Sequence, residues 1–348
     1  MSDRGATQDD RRSALERGFQ RLWYGGSPWA WLLSPFSLLY YLLVSLRRLP
    51  YALGLRRAMR GAQPVVVVGN LTVGGSGKTP LVIWLVEALA RRGLRAAVVS
   101  RGYGGYVGLV PLRVERDTDP ARCGDEPLLF ARRTGTLVVV HPDRVLALLS
   151  IRPEEADIVI ADDGLQHLPM ARDFEILVRD GVRGFGNRLL LPAGPMREPA
   201  WRTAAMDAIV TNGGDGQGLT MRLEPIAFVR PADGRREVVA SWAGRRIRAL
   251  AGIGDPARFF GALTQLGLTI TQARTLPDHA RLGPDQLSFD GDEPVVMTEK
   301  DAVRAGARLG EQHWYLEIGA ALYDAAEADA MLDRMLRIVA PGTGREVG

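Results

Sequence analysis

The chain has 348 residues, 46% of them hydrophobic and 24% charged, and a formal net charge of +4. That length allows two domains, or one large one, with a full core, and the balance is that of an ordinary globular protein. The single cysteine, Cys123, excludes an internal disulfide and a multi-cysteine metal site. The mild basic excess suits phosphate-bearing ligands or an anionic membrane face, and charge alone does not separate these from simple solubility.

Residues 1–20 are polar and charged, which predicts a loose start. Trp29 to Leu46 then carries no charge and is close to the ~20 residues a spanning helix needs. Arg47, Arg48, Arg56, Arg57 and Arg60 follow it. A signal peptide would place its positive charges before the apolar run, so that reading fits poorly. Pro35 and three serines weaken a spanning helix. An interfacial helix, with aromatics at headgroup level and arginines on anionic lipid, fits best; spanning and buried-core helices are the alternatives.

Val65 to Pro80 dominates the chain. Four consecutive valines read as a buried parallel strand. Gly74, Gly75 and Gly77 free the backbone to wrap tightly, Lys78 and Thr79 follow, and Leu81 to Arg92 has helical spacing. Strand, glycine turn, Lys-Thr and helix is the layout of a P-loop: backbone N–H groups cradle phosphates, Lys78 neutralises the β- and γ-phosphates, and the Thr79 hydroxyl meets Mg²⁺. The usual pattern starts with glycine where this chain has Thr72. Pro80 lies just inside the helix, where its missing N–H costs little.

Ala96 to Val99 reads as a strand ending in Ser100-Arg101-Gly102-Tyr103-Gly104-Gly105, a second glycine-rich loop at a strand's carboxyl end. Cys123-Gly124-Asp125-Glu126-Pro127 precedes an apolar helix, and acids there also suit a helix start. Leu137 to Val140 is a strand, and His141-Pro142-Asp143-Arg144 opens the next helix. Ile158 to Ala161 is an apolar strand ending in Asp162-Asp163, where a P-loop protein keeps its Mg²⁺ carboxylate. Phe174 to Val178 and Ala208 to Thr211 are strands. Between them, the prolines and glycines of Gly184 to Pro199 forbid a regular element. The break Asn212-Gly213-Gly214-Asp215-Gly216 marks an expected domain boundary.

A second α/β unit follows: strands at Ile247–Ala251, Leu268–Ala273, Pro294–Thr298 and Trp314–Ile318, a helix at Ala257–Leu266 with Asp255 near its N-cap, and a final amphipathic helix from about Ala321 to Val339. The fold expected is α/β: a P-loop NTPase-like parallel sheet with helices on both faces, a smaller second α/β domain, and a membrane-associating helix. The division is residues 1–62, 63–211 and 212–348.

Gly-Asn-Leu-Thr-Val-Gly-Gly-Ser-Gly-Lys-Thr-Pro, Ser-Arg-Gly-Tyr-Gly, Gly-Asp-Glu-Pro, Asp-Asp-Gly-Leu-Gln-His, Leu-Pro-Ala-Gly-Pro-Met-Arg-Glu, Pro-Asp-His and Thr-Glu-Lys-Asp occur in that order. Together they resemble the tetraacyldisaccharide 4′-kinase family of the lipid A pathway, from about Trp23 to past Asp301; Thr72 at the loop start resembles the family form. The resemblance implies transfer of the ATP γ-phosphate to the 4′-hydroxyl of an acylated glucosamine disaccharide 1-phosphate. It implies an ATP loop of Thr72, Val73, Gly74, Gly75, Ser76, Gly77, Lys78 and Thr79, with Lys78 also catalytic. Asp125 resembles the catalytic base and His279 its partner; Thr79, Glu126, Asp162 and Asp163 resemble the Mg²⁺ shell. Arg101, Gln166, His167 and Arg197 resemble residues near the substrate or the reacting phosphate. An aromatic usually precedes the family's Asp-His, and here Pro277 fills that place after Leu276. Expected partners are the lipid disaccharide and an anionic membrane surface, with no nucleic acid, for a monomer at the cytoplasmic face of a Gram-negative inner membrane. Because His279 lies in the second unit and Asp125 in the first, their dyad requires closure across a cleft. The alternatives are a membrane-associated P-loop switch or partitioning ATPase, and a soluble small-molecule kinase.

Overall fold

A computed structural model describes residues 18–214, 218–278, 280 and 282–339. His279, Asp215 and Gly216 lie outside the described residues, as do residues 1–17 of the expected loose start; residues 18–24 are helical.

The first unit is built from strands β1 (Val65–Gly69), β2 (Ala96–Ser100), β3 (Leu112–Arg113), β4 (Leu137–Val140), β5 (Ile158–Asp162), β6 (Phe174–Asp180) and β7 (Ala208–Asn212). The second continues with β8 (Thr220–Val229), β9 (Arg236–Val238), β10 (Arg246–Ala251), β11 (Thr269–Thr275), β12 (Val295–Thr298) and β13 (His313–Leu322). All thirteen belong to one sheet, ordered β11-β10-β12-β13-β8-β7-β6-β1-β5-β2-β4-β3, with β9 beside β8. The sheet therefore passes across the expected boundary at 211/212. There β7 pairs in parallel with β8, and β8 runs antiparallel along β13.

The valines explain the centre of the first unit. Alternate side chains point to opposite faces of a strand. Val66 and Val68 feed one apolar core, with helices α2 (Lys78–Arg91), α3 (Asp125–Thr134) and α7 (Ala325–Val339). Val65 and Val67 feed the other, under α4 (Arg144–Leu149). A strand covered on both faces needs an unbroken apolar run, because neither face meets water. Asp143 caps α4 by accepting from the Val145 amide, and Asp255 caps α5 (Pro256–Gln265) by accepting from the Arg258 amide.

The β8–β13 pair was not legible as a pair. Its register slips between Glu317 and Ile318, opposite Pro225; such irregularities bend a strand. Loops after β10 and β12 consequently line the same cleft as the P-loop. The short helix α6 (Glu299–Ala305) opens at the end of β12, where Thr298 caps it.

Helix α1 (Ser34–Ala52) follows a 3-10 turn at Pro28–Leu33. One stripe is docked: the Ser37 hydroxyl donates to the Leu190 carbonyl and accepts from the Ala193 amide, the Tyr40 hydroxyl donates to the Arg197 carbonyl, and Arg48 pairs with Glu198. The other side is exposed and apolar, with Phe36, Leu39, Leu42, Leu43 and Leu46 about half exposed or more.

Candidate active site

The strand register assembles the site. Val68, one residue before β1 ends, lies opposite Asp162, the last residue of β5. The turn that leaves β1 therefore starts beside a carboxylate. Ser100, at the end of β2, donates to Asp162 Oδ2 at 3.0 Å. In an α/β sheet these carboxyl edges form the crevice where ligands bind.

The P-loop wraps as its glycines predict. Gly74 and Gly77 have φ of 105° and 94°, values strained for residues with a Cβ. Asn212, at the end of β7, donates to the Ser76 carbonyl at 3.1 Å. Asn70 donates to the Gly74 carbonyl at 3.3 Å, and the Val73 amide donates to the Pro195 carbonyl at 2.9 Å. Thr72 forms a bridge with Met196. The irregular tract Gly184–Pro199 is thus the support of the loop's first half. Lys78 begins α2, so the helix amides and positive dipole end point into the loop.

A cavity of about 1530 Å³ holds Gly74, Gly75, Ser76, Gly77, Lys78, Thr79, Glu126, Asp162, Asp163, Arg101, Gln166, His167 and Arg197 in its walls. Tyr40, Val44, Arg47 and Arg48 of α1 line it too, with Asp255, Asp278 and Lys300 from the second unit. Thr72 and Val73 are not among its lining residues; they pack against the Pro195–Met196 support instead. Asp125 is also not among them. It is buried behind Glu126, and Arg304 of α6 donates to it through Nη2 at 2.8 Å and Nε at 3.1 Å.

The tandem aspartates face different partners. Asp163 accepts from Arg197 at 3.0 and 3.1 Å and lies 3.5 Å from Lys78 Nζ. Burial works against its charge, but Lys78 and Arg197 hold it below the usual carboxylate range. Its backbone has φ of 46°, a left-handed conformation that non-glycine residues seldom adopt away from functional turns. Asp162 is the opposite case. Burial first, then the charges of Glu126 and Asp163, push its pKa up to about 7. Its Oδ1 is buried with no hydrogen-bond partner. Glu126 accepts from the Thr79 hydroxyl at 3.0 Å and pairs with Lys300, whose ammonium holds its carboxyl low.

Gln166 donates to the Asn70 carbonyl at 3.2 Å and to Glu198 at 3.0 Å. His167 Nε2 lies 3.4 Å from Asp143. Burial first, then Arg144, pushes the His167 pKa down to about 4, so the ring is neutral at pH 7, and its buried Nε2 has no hydrogen-bond partner among the described residues. Arg144 itself donates to the Asp163 carbonyl at 2.9 Å.

Lys300, Arg304, Asn212 and Ser100 escaped functional assignment from sequence. Thr298-Glu299-Lys300-Asp301 was the available signal: a strand ending in charged residues, as at Asp162. Arg304 had none, because an arginine on a short helix reads as solvated.

A family model described as Tetraacyldisaccharide-1-P 4′-kinase matches residues 29–337. A tetraacyldisaccharide 4′-kinase of Aeromonas salmonicida (strain A449) is 46% identical over 328 residues, 93% of this chain and 98% of the relative. One from Hahella chejuensis (strain KCTC 2396) is 46% identical over 327 residues, 91% of this chain and 96% of the relative. Among solved structures, LpxK from Aquifex aeolicus in complex with ATP aligns with a TM-score of 0.75 at 28% identity, covering 88% of this chain and 99% of that one. With the family model and whole-length relatives agreeing with the P-loop cleft, this chain belongs to the tetraacyldisaccharide 4′-kinase family.

Proposed function

We propose that this chain transfers the γ-phosphoryl group of ATP to the 4′-hydroxyl of tetraacyldisaccharide 1-phosphate, giving the 4′-phosphorylated lipid IVA of lipid A biosynthesis. The observation that carries the reading is the single cleft. It joins Lys78, the glycine turn and Asp162 to a docked helix whose far side is apolar and exposed. A membrane-associated switch ATPase could carry such a helix too; the match to the tetraacyldisaccharide 4′-kinase family is what disfavours it.

Phosphoryl transfer is mostly positioning and charge compensation. The amides of Gly74 to Lys78 hold the phosphates, and Lys78 moves its charge from Asp163 toward the transferred group. Arg197 stays on Asp163 and keeps that carboxylate off the incoming anion. Asp125 accepts the proton of the sugar hydroxyl, with His279 as its partner. Asp125 is held by Arg304 in this conformation, so that pair must turn or part before the hydroxyl meets the carboxylate. The base mainly orients the hydroxyl, since the proton leaves late in a loose transition state.

Mg²⁺ fits the donor set. The unpartnered Asp162 Oδ1 is a hard oxygen in a cluster of acids beside the Thr79 hydroxyl. Among the described residues, no three acid, histidine or cysteine side chains form a ready cage. Mg²⁺ needs none, because it binds through one or two carboxylates, phosphates and water. Thr79, Asp162 and Glu126 would hold it, and Asp163 would support them through Lys78. The ion supplies neutralisation of the charge that develops on the phosphates.

We place the enzyme on the inner membrane's cytoplasmic face, where ATP is available. Helix α1 lies in the interface rather than across it, because Ser37, Tyr40 and Arg48 tie one stripe to the kinase core. Both cleft walls come from this chain, which is compatible with the monomer we propose as the acting unit. The test is incubation with labelled ATP, Mg²⁺ and the lipid disaccharide in detergent. Labelled lipid is expected, with turnover collapsing in Asp125→Asn and falling in His279→Ala. ATP hydrolysis that ignores the lipid refutes the kinase reading; unchanged His279→Ala turnover at saturating substrate refutes the dyad.

A further inference from the structure

We propose that the loop between β2 and β3, Gly102 to Pro111, is a second lipid-surface contact that docks on the bilayer interface together with α1. The inference rests on the membrane reading of α1 and extends it to a separate element.

No residue from Gly102 to Leu112 is charged, and Arg101 and Arg113 flank the run. Leu109 is 96% exposed and Tyr106 is 86% exposed, the two highest values for large apolar or aromatic side chains among the described residues. Val110 and Tyr103 are also well exposed. Leucine and valine with tyrosines, bracketed by arginines, is the composition that sits at headgroup level.

The base of the loop is held in place while its tip projects. Val107 packs against the first core. A Cβ on Gly102 would come 2.7 Å from Val107 and 3.1 Å from the Cys123 carbonyl, and one on Gly105 would come 2.5 Å from the Gly124 amide. The Tyr106 amide donates to the Ala121 carbonyl at 2.8 Å. Backbone packed this closely holds Leu109 and Val110 out in water, where exposed apolar side chains mark an interaction site.

Continuity with α1 selects a lipid surface as the occupant. The same cleft is lined by Tyr40, Val44 and Arg47 of α1 and by Arg101 and Tyr103 at the base of this loop. Two elements with exposed apolar side chains therefore border one cleft, and each carries an exposed arginine, Arg47 or Arg101, to meet anionic headgroups. The acceptor is held in a bilayer by its acyl chains, so a rim anchored at two points keeps the cleft mouth facing the membrane. One helix alone leaves the protein free to roll about its axis.

The test uses the full-length chain and vesicles of phosphatidylcholine with phosphatidylglycerol. Leu109→Ser with Val110→Ser is expected to lower partitioning about tenfold, from partial burial of a leucine and a valine, without changing the melting temperature. Phe36→Ser with Leu43→Ser in α1 serves as the control. A Val110→Cys protein carrying an environment-sensitive fluorophore is expected to shift to the blue on vesicle addition. Unchanged partitioning in the loop variant, with no blue shift and a weakened α1 control, overturns this inference alone. Unchanged partitioning in both variants overturns the membrane reading as well. A blue shift that needs the acylated disaccharide and not vesicles assigns the loop to substrate chains, and overturns the lipid-surface contact.

Discussion

Arg304→Met tests how the second unit is fastened to helix α3. Arg304 donates to Asp125 twice, at 2.8 and 3.1 Å, to Asp301 at 3.2 Å and to the Gly252 carbonyl at 3.2 Å. Its side chain is 8% exposed, and those of Asp125 and Asp301 are 9% and 0% exposed. Removing one member of a buried pair leaves charge without compensation and costs about 3–5 kcal/mol. Replacement by methionine keeps much of the volume, so the loss is electrostatic. The pH dependence follows from Asp301. Burial raises its pKa above the usual carboxylate value, and Thr298, the Gly252 amide and Arg304 pull it back. With its folded-state pKa above the unfolded one, Asp301 binds more protons when folded, so its contribution to stability is intact in acid and fades as pH rises. Loss of Arg304 lifts the folded value further. The deficit of the variant should therefore deepen from about pH 5 to about pH 8. Urea unfolding at the two pH values measures it. A variant within about 1 kcal/mol of the parent at the higher pH, or a deficit that grows on acidification, refutes the argument.

Gly77→Ala should weaken ATP binding at least about tenfold by calorimetry, because the added Cβ meets a φ of 94° and lies 2.6 Å from Asn212 Nδ2. Unaltered affinity would show that the Asn212 contact is not needed to hold the turn. Cys123 is fully buried and its pKa is pushed up to about 11 by that burial. Alkylation of the native protein at mildly basic pH should therefore proceed only as fast as the protein opens, and become rapid in urea. Fast native labelling would contradict the packing around α3.

The parts legible from sequence share one property: their physics is local. Val65 to Val68 form a strand covered on both sides because four apolar β-branched residues suit no other place. Gly74 and Gly77 turn the chain because they alone accept positive φ cheaply. Asp143 and Asp255 cap helices through amides two or three residues away. Strand β8 was missed because Pro225 interrupts the alternation of Met221-Arg222-Leu223-Glu224, and proline argues against an inner strand. The end of β13 was set short at Ile318 because Gly319-Ala320-Ala321 has no β-branched or alternating pattern. Its last four residues are held by partners in β8 rather than by their own apolar pattern.

The sequence by itself determined a glycine turn of P-loop pattern, a carboxylate at a strand end, and an apolar helix ahead of both. Each is written in residues that are neighbours along the chain. Only the tertiary structure decided that Asp125 rests on Arg304, that Glu126 rests on Lys300, and that Asn212 backs the P-loop. Those pairs lie 179, 174 and 136 residues apart. No periodicity reaches so far, and the register of one continuous sheet brings them together.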